Sequence, residues 1–260
     1  MDTIRSASNP HVKRVRAALA GREPGFILLE GRRLIEQARE LGHSFELLLV
    51  AEDQLSTVDS WGGIDFHLVS ESIVSRLSQL VTSPGMLALV REPPHRAVDS
   101  VPLDEDTLIV IVCGIQNPGN LGSLARSAEA AGASALVVLK GGCSPWNAKS
   151  MRGSMGSLLR LPTCVESDPA HVAKVLATKG VRHVKAATRD GTRHDRFDWA
   201  GPIALWVSSE TGELLDLPAP IQADFENVSI PMAVGVESLN VTAAAAVLFF
   251  AAGRTGGALA

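Results

Sequence analysis

Cysteine is scarce in this chain of 260 residues: Cys113, Cys143 and Cys164 are odd in number, widely spaced and in no Cys-x-x-Cys pair. Such spacing builds neither a disulfide framework nor a zinc site, so no metal is expected. A surplus of one charge is missing as well. The formal net charge of −4 and isoelectric point near 6.0 exert no global pull on nucleic acid. Any basic surface must therefore be local. The apolar stretch at residues 241–252 falls far short of the roughly 20 residues that a membrane span requires. The amino terminus is charged and carries no apolar run of the signal-peptide kind. A cytoplasmic protein without membrane association is the expectation. Also absent are Gly-x-Gly-x-x-Gly, Gly-x-x-x-x-Gly-Lys and Gly-x-Ser-x-Gly, so dehydrogenase, phosphate-loop kinase and serine hydrolase assignments lose support.

An apolar fraction of 46% and a charged fraction of 20% are those of a globular chain, and its length suits one large or two modest domains. Residues 1–20 read as a basic helix, started by Asn9-Pro10 and continued by Val12, Val15, Arg16 and Leu19 at helical spacing. Strands are predicted at 26–29, 45–50, 64–69 and 86–90, and helices at 31–41 and 70–80 with Ser70 as a cap. Alternation of this kind makes a small α/β domain over residues 1–92. Its first forty residues hold eight Lys or Arg (Arg5, Lys13, Arg14, Arg16, Arg22, Arg32, Arg33, Arg39) against five acids. Composition alone fits a solvated helix face as well as an RNA contact. Closely spaced prolines at 93, 94 and 102 then mark residues 93–104 as a linker.

Residues 105–260 form the second predicted domain. It opens with a continuous apolar run at 108–113, of the type buried on both sheet faces. Asn117 is placed to cap the following helix, with Pro118 in its first turn and Gly132 at its end. Strands at 135–139, 181–187, 203–207 and 227–230, with helices at 147–159 and 170–178, imply a mostly parallel sheet. The last helix, from Val241, is apolar on every face, which predicts burial all round. Ser238, Asn240 and Thr242 are its candidate caps.

Three polar, glycine-bearing loops follow apolar strands, at 114–120, 208–214 and 232–240. In open α/β sheets ligands bind at such carboxyl ends. Arg126 lies in the helix after the first loop, where Gly122 leaves room beside it for a ligand. The plain alternative is an Arg126–Glu129 helix pair worth roughly 0.2–0.5 kcal/mol. Glu210 is equally readable as a turn carboxylate, and Ser238 and Asn240 as simple caps.

Taken in order, these segments resemble a known family. Asn117-Pro-Gly-Asn-Leu-Gly-Ser-Leu-Ala-Arg126-Ser-Ala-Glu-Ala-Ala-Gly132, then Ser208-Ser-Glu210, then Ile230-Pro-Met and Glu237-Ser-Leu-Asn-Val241 are similar to the three motifs of the SpoU/TrmH RNA ribose 2′-O-methyltransferases. The first half also resembles the small ribosomal-protein-like RNA-binding domain that often precedes the catalytic one. That likeness rests on Ser8-Asn-Pro-His-Val-Lys13, Leu29-Glu-Gly-Arg-Arg33 and Thr82-Ser-Pro-Gly85.

The resemblance implies a parallel-sheet catalytic domain of the SPOUT type, whose C-terminal segment threads a loop into a trefoil knot. It implies S-adenosylmethionine held in that knot, a homodimer through the C-terminal domain, and RNA as substrate, ribosomal RNA first and transfer RNA second. Asn120, Arg126, Glu210, Ser238 and Asn240 fall on the family's catalytic positions, and Ser208, Ile230 and Leu239 on its cofactor positions. One departure stands out: the second motif usually reads Gly-x-Glu-x-x-Gly, and here Ser208 and Glu213 replace both glycines. If position 208 needs positive φ, serine is strained there and cofactor affinity falls. Two other assignments compete with the enzyme: a non-catalytic RNA-binding paralogue, and an α/β enzyme acting on a small molecule. The latter accounts for three loops but not for their matching order.

Overall fold

A computed structural model describes residues 2–209 and 224–253. The first ninety residues run α1 (Pro10–Leu19), β1 (Phe26–Glu30), α2 (Arg32–Glu40), β2 (Phe45–Ala51), α3 (Leu55–Asp59), β3 (His67–Val69), α4 (Glu71–Leu77) and β4 (Met86–Arg91). Their sheet has the order β1-β4-β2-β3; β4 is antiparallel to both neighbours and β2–β3 is parallel. Asn9 caps α1 by accepting from the His11 N–H, and Val12 and Val15 are its buried face. Two boundaries contract: the strand expected at 64–69 is His67–Val69, and the helix at 70–80 is Glu71–Leu77. Ser70 precedes that helix, but its hydroxyl meets Ser72 rather than a free backbone N–H.

The second sheet collects β5 (Leu108–Cys113), β6 (Ala135–Leu139), β7 (Thr163–Glu166), β8 (Arg182–Ala187), β9 (Thr192–Arg193), β10 (Ile203–Ser208) and β11 (Glu226–Ser229). All its pairings are parallel, in the order β7-β6-β5-β10-β8-β11-β9. Every residue of β5 is buried, as a strand covered on both faces requires. The chain steps outward from β5 through β6 to β7, then returns to the other side, so the order reverses between β5 and β10. Helices α5 (Pro118–Ala130), α6 (Ala148–Ser154), α7 (Ser157–Arg160), α8 (Pro169–Thr178) and α9 (Val241–Gly253) accompany it. Among the described residues no helix is long and apolar enough to cross a membrane.

Three sequence expectations are corrected here. The helix predicted over 147–159 is two helices, because Met155 and Gly156 take φ of 50° and 89°. A left-handed pair cannot continue an α-helix. Residues 93–101 are packed rather than free: Val98 and Val101 are buried against β5, β6 and β10, and the Val98 N–H donates to Glu166 Oε1 at 3.0 Å. Helix α9 is not covered all round. Val241, Ala245, Leu248, Phe249 and Ala252 are buried, whereas Val247 and Phe250 are each 38% exposed and Ala243 faces solvent.

The two sheets share one apolar cluster. Ile27, Leu29, Ile35 and Met86 from the first belong with Val110, Leu124, Met151 and Leu158 from the second. Across the same junction the Glu30 carboxylate is fully buried and paired with Arg152 of α6 at 2.9 Å. It also accepts from the Ser78 hydroxyl and, at 3.2 Å, from the Gln79 N–H. Arg152 in turn donates to Gln79 Oε1 at 3.0 Å. Truncating Arg152 leaves a buried carboxylate without its cation. Arg152→Ala should therefore cost about 3–5 kcal/mol of stability, read as a lower urea midpoint. A change within about 0.5 kcal/mol, the size of an ordinary surface substitution, would deny this pair its structural weight.

Candidate functional site

The reversal of strand order between β5 and β10 puts a crevice at the carboxyl ends of the strands, where ligands bind in open α/β sheets. A cavity of about 540 Å³ lies there, closed on one side by the first turns of α9. Ser208 reaches it from the end of β10, Ile230 from beyond β11, and Ser238 and Leu239 from the loop before α9. Four of the eight predicted site residues thus meet around one space. Its apolar wall includes Val207, Val241 and Leu248, and the small Ala244 and Ala245 keep α9 from filling it.

Ser208 sits in regular strand, opposite Cys113 of β5. Among the described residues only Met155 and Asp190 are non-glycine residues with positive φ, so serine bears no left-handed strain at 208. Cys113 is no nucleophile: burial pushes its thiol up to about 12. Glu210 and Glu213 lie outside the described residues.

Asn120 and Arg126 are carried by α5, which Asn117 caps by accepting from the Gly119 N–H at 2.9 Å. Neither residue lines the 540 Å³ cavity. Asn120 is half-buried and Arg126 exposed, and the Arg126 guanidinium has no ion pair or hydrogen bond among the described residues. The helix pair with Glu129 is not formed. Glu129 instead receives Arg160 of α7 through two bonds, at 2.6 and 2.8 Å. That contact holds its carboxyl below the ordinary range.

The expected space beside Gly122 is likewise absent. A Cβ built there would stand 2.4 Å from the Ser150 carbonyl oxygen and 2.7 Å from the Gly153 and Ser154 backbone. Gly122 serves the contact between α5 and α6, not a ligand. Residues 122, 126 and 129 share one face at helical spacing. Arg126 is accordingly bracketed by the contacts of Gly122 with α6 and of Glu129 with α7.

In the third loop Asn240 is the cap of α9. Its Oδ1 accepts from the Thr242 N–H at 2.9 Å and from the Thr242 hydroxyl at 2.6 Å. The carboxamide nitrogen has no partner among the described residues. Ser238 is exposed and Ile230 half-buried.

Sequence reasoning missed a fourth loop. Lys185, Arg189 and Asp190, from the end of β8 and just after it, also line the cavity. Asp190 holds a left-handed φ of 58°. The available signal was positional: strand β8 is parallel to β10, so its carboxyl end opens on the same side. Lys185 and Arg189 thereby bring positive charge to a space whose third loop contributes the acid Glu237. Among the described residues no group of three or more His, Cys, Asp or Glu is placed to hold a metal.

Comparison with known proteins agrees with this geometry. Residues 107–250 match the SpoU rRNA Methylase family. The chain is 28% identical over 253 residues to 23S rRNA (guanosine(2553)-2'-O)-methyltransferase RlmP of Bacillus subtilis (strain 168), covering 96% of this chain and 98% of that one. It is 31% identical over 244 residues to the 23S rRNA (uridine(2479)-2'-O)-methyltransferase of Streptomyces viridochromogenes, covering 88% and 83%. The crystal structure of the SpoU methyltransferase AviRb from Streptomyces viridochromogenes, in complex with the cofactor AdoMet, superimposes with a TM-score of 0.81. Sequence identity is 26%, over 95% of this chain and 98% of that one.

The capping role of Asn240 can be tested by substitution. Asn240→Ala should lose about 1 kcal/mol through the missing cap, whereas Asn240→Ser, which caps equally well, should keep the parent's thermal midpoint. Equal midpoints for all three proteins would show that the cap contributes nothing.

Proposed function

The chain belongs to the SpoU rRNA methylase family, and on that premise we propose that it methylates the 2′-oxygen of a ribose in ribosomal RNA with S-adenosylmethionine. The observation that carries the proposal is the meeting of Ser208, Ile230, Ser238 and Leu239 around one cavity at the strand-order reversal. The residues present fit this cofactor. Apolar side chains suit an adenine and a thioether chain. Lys185 and Arg189 can take a carboxylate, while Asp190 can take an ammonium or hydroxyl groups. When bound, S-adenosylmethionine supplies an electrophilic methyl group.

A ribose hydroxyl is a weak nucleophile, so the protein must orient it and favour loss of its proton. Arg126 stays protonated at any working pH. Its part is to clamp the target phosphate and stabilise charge growing on the attacking oxygen, the proton passing to phosphate or water. With no ion pair among the described residues, its charge is left for that task. Asn120, Ser238 and the free carboxamide nitrogen of Asn240 position the ribose. Glu210 completes the catalytic set, and Ser208, Ile230 and Leu239 hold the cofactor.

Residues 1–92 supply RNA affinity in this proposal, residues 93–104 connect, and residues 105–260 form the methyltransferase domain with the family's trefoil-knotted path. Ion pairing selects among the basic residues of the first half. Arg14 is held by Glu23 and Glu46, Arg5 by Glu52 and Arg32 by Glu36. Lys13, Arg16, Arg22 and Arg33 are exposed and unpaired among the described residues, and are the phosphate-contact set. Two copies pair through the catalytic domain. Support comes from the solvent face of α9, with Val247 and Phe250, and from the exposed Val234 and Val236 in the preceding loop. A cytoplasmic location is part of the same proposal.

Transfer of a tritiated methyl group to ribosomal RNA tests the proposal directly. Arg126→Ala should lower the rate by about 10²–10³-fold while calorimetry still finds parent-like cofactor binding. Joint loss of both would move Arg126 into the cofactor site. Because Ser208 is unstrained, Ser208→Gly should leave cofactor affinity within about threefold, less than the 1–3 kcal/mol that relieved backbone strain returns. A gain of tenfold or more would favour the non-catalytic paralogue.

A further inference from the structure

Outside the cofactor cavity, a second space of about 500 Å³ lies between residues 93–100 and the segment from Trp146 to Thr163. Its size is that of a small-molecule site. Trp146, Leu159 and Pro94 give it apolar surface, and His95, Arg96 and Arg160 bring positive or protonatable groups. No acid lines it. Arg160 is committed to Glu129, but Arg96 is exposed and without an ion-pair or hydrogen-bond partner among the described residues. The half-buried Trp146 has no partner for its indole N–H among the described residues, although the indoles of Trp199 and Trp206 each donate one bond.

We infer that this cavity takes an unpaired nucleotide of the RNA substrate, its base against Trp146 and its phosphate against Arg96. The inference rests on the methyltransferase proposal above and adds a second point of contact to it. Flat aromatic surface beside a cation is how proteins hold single-stranded RNA. An unpaired indole N–H adds a donor for a base edge. Position supports the same occupant. Arg160 forms one wall, and its partner Glu129 lies one turn beyond Arg126 on the same face of α5. A nucleotide seated here would be joined to the residue that clamps the target phosphate through a single ion pair. The junction between the two sheets then contributes to recognition as well as joining them.

The test uses the full chain, a short mixed-sequence single-stranded oligoribonucleotide, the same strand in duplex, and S-adenosylmethionine. Trp146→Leu should weaken single-strand binding on the order of tenfold, and Trp146→Phe should retain most of it. Arg96→Gln, a surface change, should weaken binding and lower the salt slope by about one. All three should keep the parent's cofactor affinity, which guards against a folding defect. Duplex binding should respond to Arg96→Gln but not to Trp146→Leu. Parent-like RNA affinity in Trp146→Leu and Arg96→Gln would overturn the inference while leaving the methyltransferase proposal standing. If they lost activity only on intact ribosomal particles, the cavity would pass to a protein partner. A parent that bound neither form of RNA would sink both proposals together.

Discussion

Gly122 is where two backbones meet with no room for a side chain. Much of the rest hangs on that approach. It fixes α6 on α5, and α6 carries Arg152, whose guanidinium neutralises the buried Glu30 of the first sheet. Arg126 lies one turn along from Gly122 on the same face of α5, and Asn120 is carried by that helix too. One close contact therefore sets both α5 and the foothold of the first half. The left-handed pair Met155–Gly156 is part of the same joint: it turns the chain from α6 into α7, so that Arg160 comes round to Glu129.

Ion pairing divides the arginines into structural and available ones. Arg14, Arg152, Arg160 and Arg182 each have a carboxylate within 3.0 Å. Apart from the pair of Arg152 with the buried Glu30, these are exposed enough to contribute little to stability. Their effect is to quench positive charge where it is not needed. Among the described residues, Arg33, Arg96 and Arg126 are some of those that make no ion pair and so stay available. A chain of net charge −4 can in this way present local phosphate sites without becoming a general nucleic-acid binder.

Much of the fold was legible because its strands are short, apolar and bounded by turn residues. β5, β6 and β10 matched to within a residue. The break at Met155 was not legible, since methionine carries no signal for a left-handed conformation and Gly156 alone is compatible with a helix. The strand at Thr163–Glu166 follows no apolar run and exists because β6 offers it an edge. At the site, local pattern identified Asn117 and Asn240 as caps. It misjudged Gly122, whose neighbour is a helix nearly thirty residues away in sequence. It also passed over Lys185 and Asp190, which become site residues only once β8 lies beside β10. Failures of this type are long-range: each depends on a partner that composition and spacing do not name.

The apolar cluster shared by both sheets has a consequence for how such proteins diversify. RNA-reading modules are often exchanged between enzymes as beads on a string, each with its own interior. Here Ile27, Leu29 and Met86 are interior to both halves at once. Swapping in a foreign first half would uncover Met151 and Leu158 and strand Arg152 without its carboxylate. Change in the first half is thus confined to its outer faces and to its loops. The inner face must be inherited with the catalytic domain it covers.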